Sequence, residues 1–253
     1  MLRKFSPPKL LLFLFFCFTV VSNNAQTCDE EILSQIASHY DDGNLDSVAS
    51  MANALLASEN AVVQAKANQW LGSVHLDRNQ FKEAADFYFK SLAIYQAEKD
   101  GIGEVQIYNS LAAAYSLAED TRLAINYLLH ARQVMISIGE ADTNKLFIKT
   151  TTNIASGYTA HIDRTGEMQF VDSVFYYFDL SISMLKKCKV DGWQKERLNS
   201  IYIFYGMILA DSGDEKGFDY CVEAIEFYKS ENNYEKVAYG YDAISRFHLM
   251  KGR

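Results

Sequence analysis

Apolar residues recur along this chain at intervals of three and four. Between Ala65 and Tyr95 the large and small apolar positions are Leu71, Gly72 and His75, then Phe81, Ala84, Tyr88 and Leu92. Spacing of i, i+3, i+4 and i+7 places one face of a 3.6-residue helix against a core and leaves the rest polar. The same alternation continues to the C-terminus. It predicts eleven helices, with cores over 30–41, 45–57, 61–78, 81–98, 103–118, 121–138, 144–161, 170–188, 193–211, 215–231 and 234–250. Short turns between them make neighbours antiparallel. The longest predicted break, His161 to Gln169, is a loop inside the array.

The pattern also repeats at long range. Leu71-Gly72-His75-Phe81-Ala84-Tyr88-Leu92 superposes, with a shift of 40, on Leu111-Ala112-Tyr115 followed by Ala124, Tyr127, Leu128 and Ala131. Further copies run through Ile154-Ala155-Tyr158 with Val174, Phe178 and Ile182, and through Tyr205-Gly206 with Gly213-Asp214 and Ala224-Ile225. An earlier copy holds His39, Gly43-Asn44-Leu45, Val48 and Ala52. This register resembles the tetratricopeptide repeat, a helix–turn–helix unit of about 34 residues with the pattern W-x2-L-G-x2-Y, A-x3-F, P. The resemblance covers most of 29–253 and implies an all-α, right-handed superhelical solenoid of antiparallel helix pairs. Its approximate units are 29–60, 61–101, 102–141, 142–190, 191–232 and 233–253, the last incomplete or capping. Gly72, Ala112, Ala155 and Gly206 are the close-approach positions on the first (A) helices, with Ala84, Ala124 and Val174 on the second (B) helices. Gly43, Asn79, Gly213 and Gly252 end A helices, where a residue with positive φ closes the last turn. No unit buries its apolar face alone, so stacking must build the core.

The first 26 residues break the pattern. Arg3, Lys4 and Lys9 precede an apolar run, Leu10–Val21, and a small polar exit, Ser22 to Gln26. A basic start, a short apolar stretch and small residues describe a secretory signal peptide, cleaved near Ala25 or Gln26. The run has 12 residues, against about 20 for a membrane-spanning helix. The expected location is therefore the periplasm or the exterior, with no membrane span in the processed chain. Both prolines, Pro7 and Pro8, lie in this segment. A body without proline and with few glycines excludes a many-turned β-fold.

The chain carries a formal charge of −8, and removing 1–26 takes away three cations and no acid, leaving −11. An acidic body with no basic aromatic stripe argues against direct nucleic-acid binding. Cys28, Cys188 and Cys221 survive cleavage. Three cysteines without CxxC spacing imply no disulfide framework, and leave open whether Cys188 and Cys221 pair.

Candidate chemistry is sparse. His39, His75 and His248 fall at the repeat position held elsewhere by Tyr115 and Tyr158, so they read as aromatic-sized packing residues. His130 sits late on a B helix and His161 at a helix end. No HxxxH, HExxH or EF-hand loop occurs. Gly101-Ile-Gly103 follows a helix rather than a strand, so it ends one helix and starts the next instead of cradling a phosphate. Asp211-Ser-Gly-Asp214 reads as a turn, and no nucleophile elbow is present. The expectation is a protein that is not an enzyme and has no metal site and no cofactor.

What remains is surface. In stacked pairs the A helices line the concave side, and side chains about a turn apart face it together. These are Lys66, Gln69 and Ser73; Gln106, Asn109 and Ser116; and Lys149, Thr152, Ser156 and Thr159. Amides and hydroxyls in such a row suit a protein or peptide partner. The family's carboxylate clamp is matched only partly, by Lys66, Asn109 and Lys149. An alternative follows from the ending. Residues 234–250 read as the A helix of a fresh unit, as in arrays that form the sensory front of a bacterial histidine kinase or helix-turn-helix regulator.

Overall fold

A computed structural model describes residues 29–252. The predicted signal peptide and Cys28 lie outside the described residues. Among these, eleven α-helices and one short 3-10 turn make up the regular structure, in the order the periodicity predicts. They are α1 (29–41), α2 (Leu45–Leu55), α3 (Ala61–Asp77), α4 (Phe81–Glu98), α5 (Gly101–Leu117), α6 (Thr121–Ser137), α7 (Lys145–Thr165), α8 (Val171–Lys187), α9 (Gly192–Asp211), α10 (Glu215–Ser230) and α11 (Tyr234–Met250). None of the described helices is long and apolar enough to cross a membrane.

The starts are written in short polar side chains. Asn60 Oδ1 accepts from the backbone N–H of Val62 at 2.9 Å and of Val63 at 3.4 Å. Asp100, Asn144, Asp191, Asp214 and Asn233 cap α5, α7, α9, α10 and α11 in the same way. Each such cap satisfies an orphan donor and stabilises its helix by about 1 kcal/mol. The ends use a left-handed residue. Gly43, Gly213 and Gly252 have φ of +74°, +74° and +67°, and Asn79 has φ +58°, as the sequence suggested.

Two helix ends differ from expectation. α7 does not stop at His161 but continues to Thr165, where Gly166 at φ +72° closes it. The Thr165 hydroxyl donates to the His161 carbonyl at 2.7 Å, which helps hold the extra turn. The break is therefore only Gly166 and Glu167 plus the 3-10 turn Met168–Phe170. At the other site, Gly101 does not end a helix. Lys99 adopts the left-handed cap at φ +57°, and Gly101 is the first residue of α5.

The chain divides into two compact units, at the turn between Asp120 and Thr121. In the first unit α2, α3, α4 and α5 pack in succession. Ile36, Val48, Ala52, Leu55, Val63, Ala67, Leu71 and Val74 form a buried cluster covered by Tyr40, Trp70 and Phe87. Each fully buried Val, Leu or Ile side chain contributes roughly 1.5–3 kcal/mol. The predicted small-residue position Gly72 lies under the Tyr88 ring, whose carbons would come within 2.5 Å of an added Cβ. Gly103 is required for the same reason by Tyr95, at 2.3 Å. Ser91, fully buried, donates to the Ala65 carbonyl at 2.8 Å and ties α4 to α3.

In the second unit α6 packs on α7, α7 on α8, and α9 on both α10 and α11. Here the close approach is backbone to backbone. A Cβ on Gly217 would lie 2.6 Å from the Ala210 nitrogen and 2.7 Å from the Gly206 carbonyl oxygen. Cys221, fully buried, covers Gly206 one turn further along α10. Cys188 and Cys221 both carry free thiols.

Candidate partner-binding site

Six of the expected binding residues fall in the first unit, on α3 and α5, which touch each other beside α4. Lys66 and Gln106, 40 residues apart, are both exposed, and Gln69 and Asn109, again 40 apart, are both half-buried. The repeat thus presents the same two-position row twice on adjacent helices. Asn109 Nδ2 donates to the Val105 carbonyl at 2.9 Å, which orients its amide along α5. Ser73 is half-buried; its hydroxyl donates to the Gln69 carbonyl at 3.2 Å and lies 3.3 Å from the Tyr88 hydroxyl. Burial pushes the Tyr88 hydroxyl upward in pKa, against the opposing bond from Ser73. Ser116 is exposed near the end of α5.

The other four lie in the second unit on α7. Lys149 and Ser156 are exposed and Thr159 is half-buried, its hydroxyl bonded to the Ala155 carbonyl at 3.0 Å. Thr152 does not face solvent. It is 6% exposed and donates to the Ile148 carbonyl at 2.9 Å. The physical reason is its place in a threonine run, Thr150 to Thr152, that is buried throughout. Thr151 back-bonds to Phe147 in the same manner. Hydroxyls satisfied four residues back on their own helix pack as β-branched core residues.

Two of the histidines assigned to the repeat register pack on aromatic rings. His75 stacks on Phe87 with centroids 5.1 Å apart, and His248 meets Phe218 edge-on at 5.8 Å. Tyr158, at the same repeat position, stacks on Phe170 and Tyr177. His161 differs from expectation. It is buried inside α7, with Nδ1 at 2.8 Å from the Thr121 hydroxyl and Nε2 at 3.6 Å from Glu167. Arg122 reaches Glu167 from the other side at 3.4 Å. This chain of contacts fastens the α7–α8 connection to the start of α6. Among the described residues no group of three or more His, Cys, Asp or Glu could hold a metal ion.

Sequence reasoning missed one feature. In the first unit a cleft of about 750 Å³ opens between the α3–α4 turn, the first turns of α4 and the end of α5. Phe81, Phe89 and Tyr115 line it with Glu83, Asp86 and Ala118. The available signal was Phe89, an aromatic two turns after Phe81 that the B-helix packing pattern does not use.

Antiparallel helix pairs in a 40-residue register, joined by capped turns, define a helical-repeat protein. The family model described as the tetratricopeptide repeat matches residues 63–137, and the fold as a whole is that of a tetratricopeptide-like helical repeat. No curated protein sequence matches it. Among solved structures it is similar to BtubC from P. vanneervenii, with 14% identity, TM-score 0.57, and coverage of 88% of this chain and 80% of that one. RapI in its apo form gives 14% identity, TM-score 0.61, and coverage of 87% and 84%. The Rap conjugation gene regulator of plasmid pLS20, solved in complex with the Phr* peptide, gives 13% identity, TM-score 0.60, and coverage of 91% and 60%.

Proposed function

We propose that this chain is a non-catalytic scaffold that binds a protein or peptide partner along its A helices. The observation that carries the reading is the duplicated row on α3 and α5: Lys66 and Gln106 both exposed, and Gln69 and Asn109 both half-buried, in successive repeats of the first unit. Three amides and one lysine at a repeating interval match an extended polypeptide, whose backbone offers donors and acceptors at regular steps. The similar fold of the pLS20 regulator, solved with a bound peptide, supports the same use of the architecture. The test is a screen of displayed 15-residue peptides against the purified protein, followed by titration of the best binder. Gln69→Ala with Asn109→Ala should weaken that binder tenfold or more. Unchanged affinity in the double variant overturns the assignment to this row.

The reading includes export. The basic start and the 12-residue apolar run of 1–26 motivate it. Fusing residues 1–35 to a reporter active only outside the cytoplasm tests it. Retention of the fusion inside removes the periplasmic or secreted location.

A further inference from the structure

We propose that the cleft at the α3–α4 turn of the first unit is a second binding surface, which takes a cationic amphipathic peptide segment. An apolar side chain of that segment seats on Phe81, Phe89 and Tyr115, and a neighbouring Lys or Arg meets Glu83 and Asp86. The inference stands apart from the α3 and α5 row, which uses other side chains.

Shape comes first. The cleft holds about 750 Å³, within the usual range for a site that buries a ligand group. Its walls come from two packed helices, so it is formed without rearrangement. Phe89 is 40% exposed although it is a phenylalanine on a helix with ample buried positions. Exposed aromatics beside a concavity are the usual anchors of recognition. Glu83, Asp86 and Phe89 follow one another at intervals of three along α4, so carboxylates and ring share one side of that helix.

Charge then selects the occupant. Residues 29–120 carry fifteen carboxylates against five cations, a balance of −10, whereas 121–252 carry seventeen against fifteen, a balance of −2. Most of the acidity of the protein therefore sits in the unit that holds the cleft. In sequence, Glu119 and Asp120 directly follow the lining residue Ala118. Of the five cations, Arg78 is bound to Asp46 and Lys90 lies over the Phe87 ring at 4.7 Å. Lys99 caps the far end of α4 and Lys66 lies on α3. Of the five, only Lys82 lines the cleft, together with the two carboxylates Glu83 and Asp86. Such a field repels an anionic ligand and steers a cationic one. An apolar floor under an acidic rim asks for both features in one ligand, which a basic amphipathic peptide supplies.

The experiment uses fluorescence anisotropy on the full chain with three labelled 12-residue peptides. One alternates Leu or Phe with Lys or Arg, the second replaces its cations by Glu, and the third is oligolysine. The first should bind, with the other two at least tenfold weaker. Asp86→Lys should weaken the first peptide fivefold or more, as should Ala118→Trp, which fills the cleft from an exposed position at the end of α5. Glu31→Lys makes the same charge change on the exposed side of α1 and should alter affinity less than twofold. Gln69→Ala with Asn109→Ala should leave it unchanged, which separates this surface from the row proposed above. Equal losses in Asp86→Lys and Glu31→Lys would mean diffuse attraction only and overturn the proposal. Oligolysine binding as tightly as the amphipathic peptide, full affinity in a folded Ala118→Trp, or no binding at 1 mM peptide would overturn it as well. Should Ala118→Trp not fold, the comparison of Asp86→Lys with Glu31→Lys decides alone.

Discussion

Alanine at Gly217 is a severe test of how the second unit is held together. The added Cβ would lie 2.6 Å from the Ala210 nitrogen, 2.7 Å from the Gly206 oxygen and 2.7 Å from the Leu209 Cβ. Ordinary contact begins near 3.4 Å, so α9 and α10 must part by roughly 0.7 Å, and backbone atoms cannot rotate out of the way. Overpacking of this kind costs about 1–3 kcal/mol. Parting the helices also loosens Cys221 and Ala224, both fully buried on α10. Alanine returns at most about 1 kcal/mol in helix propensity, and less in the first turn where Gly217 sits. The net loss should be about 2 kcal/mol, or a fall of roughly 4–8 °C in Tm for a chain of this size. Gly192→Ala is the control. It sits at the first position of α9 with open space around its Cβ, so the same chemical change should leave stability equal or higher. Urea titration by circular dichroism gives the midpoints. Hydrogen exchange locates the loss, because repeat arrays need not unfold in one step. Protection should fall in α9 to α11 for Gly217→Ala alone. A Gly217→Ala protein with wild-type midpoint and unchanged protection would refute the backbone-contact account.

Three further outcomes follow from single side chains. Burial pushes the Cys221 thiol from 9.0 up to about 11. Because the fold favours the neutral form, its contribution is complete below about pH 9 and lost as pH rises to 11. Wild type should therefore lose stability relative to Cys221→Ala across that window, and Cys221 should resist a thiol reagent at pH 8 until urea unfolds the chain; rapid native labelling mapped to Cys221 would contradict its burial. Thr121→Val keeps the shape of its site but removes the 2.8 Å contact with buried His161, and should cost about 1–2 kcal/mol by urea midpoint; a neutral result would mean that Glu167 alone holds the ring. Asn60→Ala removes the two bonds that cap α3 and should cost about 1 kcal/mol, with Asn60→Asp close to wild type in the same titration.

The helices were legible because each apolar position serves one purpose. Leu71, Leu111, Ile154 and Tyr205 are all buried, and their spacing alone marks the face on which they lie. The ends were less legible where a polar residue does a structural task that its type does not announce. Thr165 extends α7 by bonding back to His161, and Lys99 takes a left-handed cap that glycine two residues later seemed to offer. Gly103 looked like helix punctuation because the ring that requires it, Tyr95, lies across a turn. For the candidate row, spacing identified Lys66, Gln69, Gln106 and Asn109 as accessible, yet it also selected Thr152. A threonine can place either its hydroxyl or its methyl outward, and only the packing of α7 shows that neither reaches solvent.

The same logic explains where recognition can reside in such a chain. Packing fixes the apolar positions of every unit, and it fixes them similarly, so they cannot distinguish partners. Charge is under no such constraint, and here it is distributed unevenly, −10 over 29–120 against −2 over 121–252. Self-repulsion on that scale opposes folding of the first unit, and packing does not require it. The second unit folds by the same helix-pair rules with near balance and with ion pairs such as Lys216–Asp179 and Lys236–Glu196. An acidic excess confined to one unit is the charge pattern that the proposed cationic partner requires. Neutralising it at helix C-termini away from the cleft, for example with Asp42→Asn and Glu98→Gln, both exposed, should raise the urea midpoint at low salt. That gain should shrink as salt screens the repulsion, and a salt-independent gain would show that repulsion was not its source.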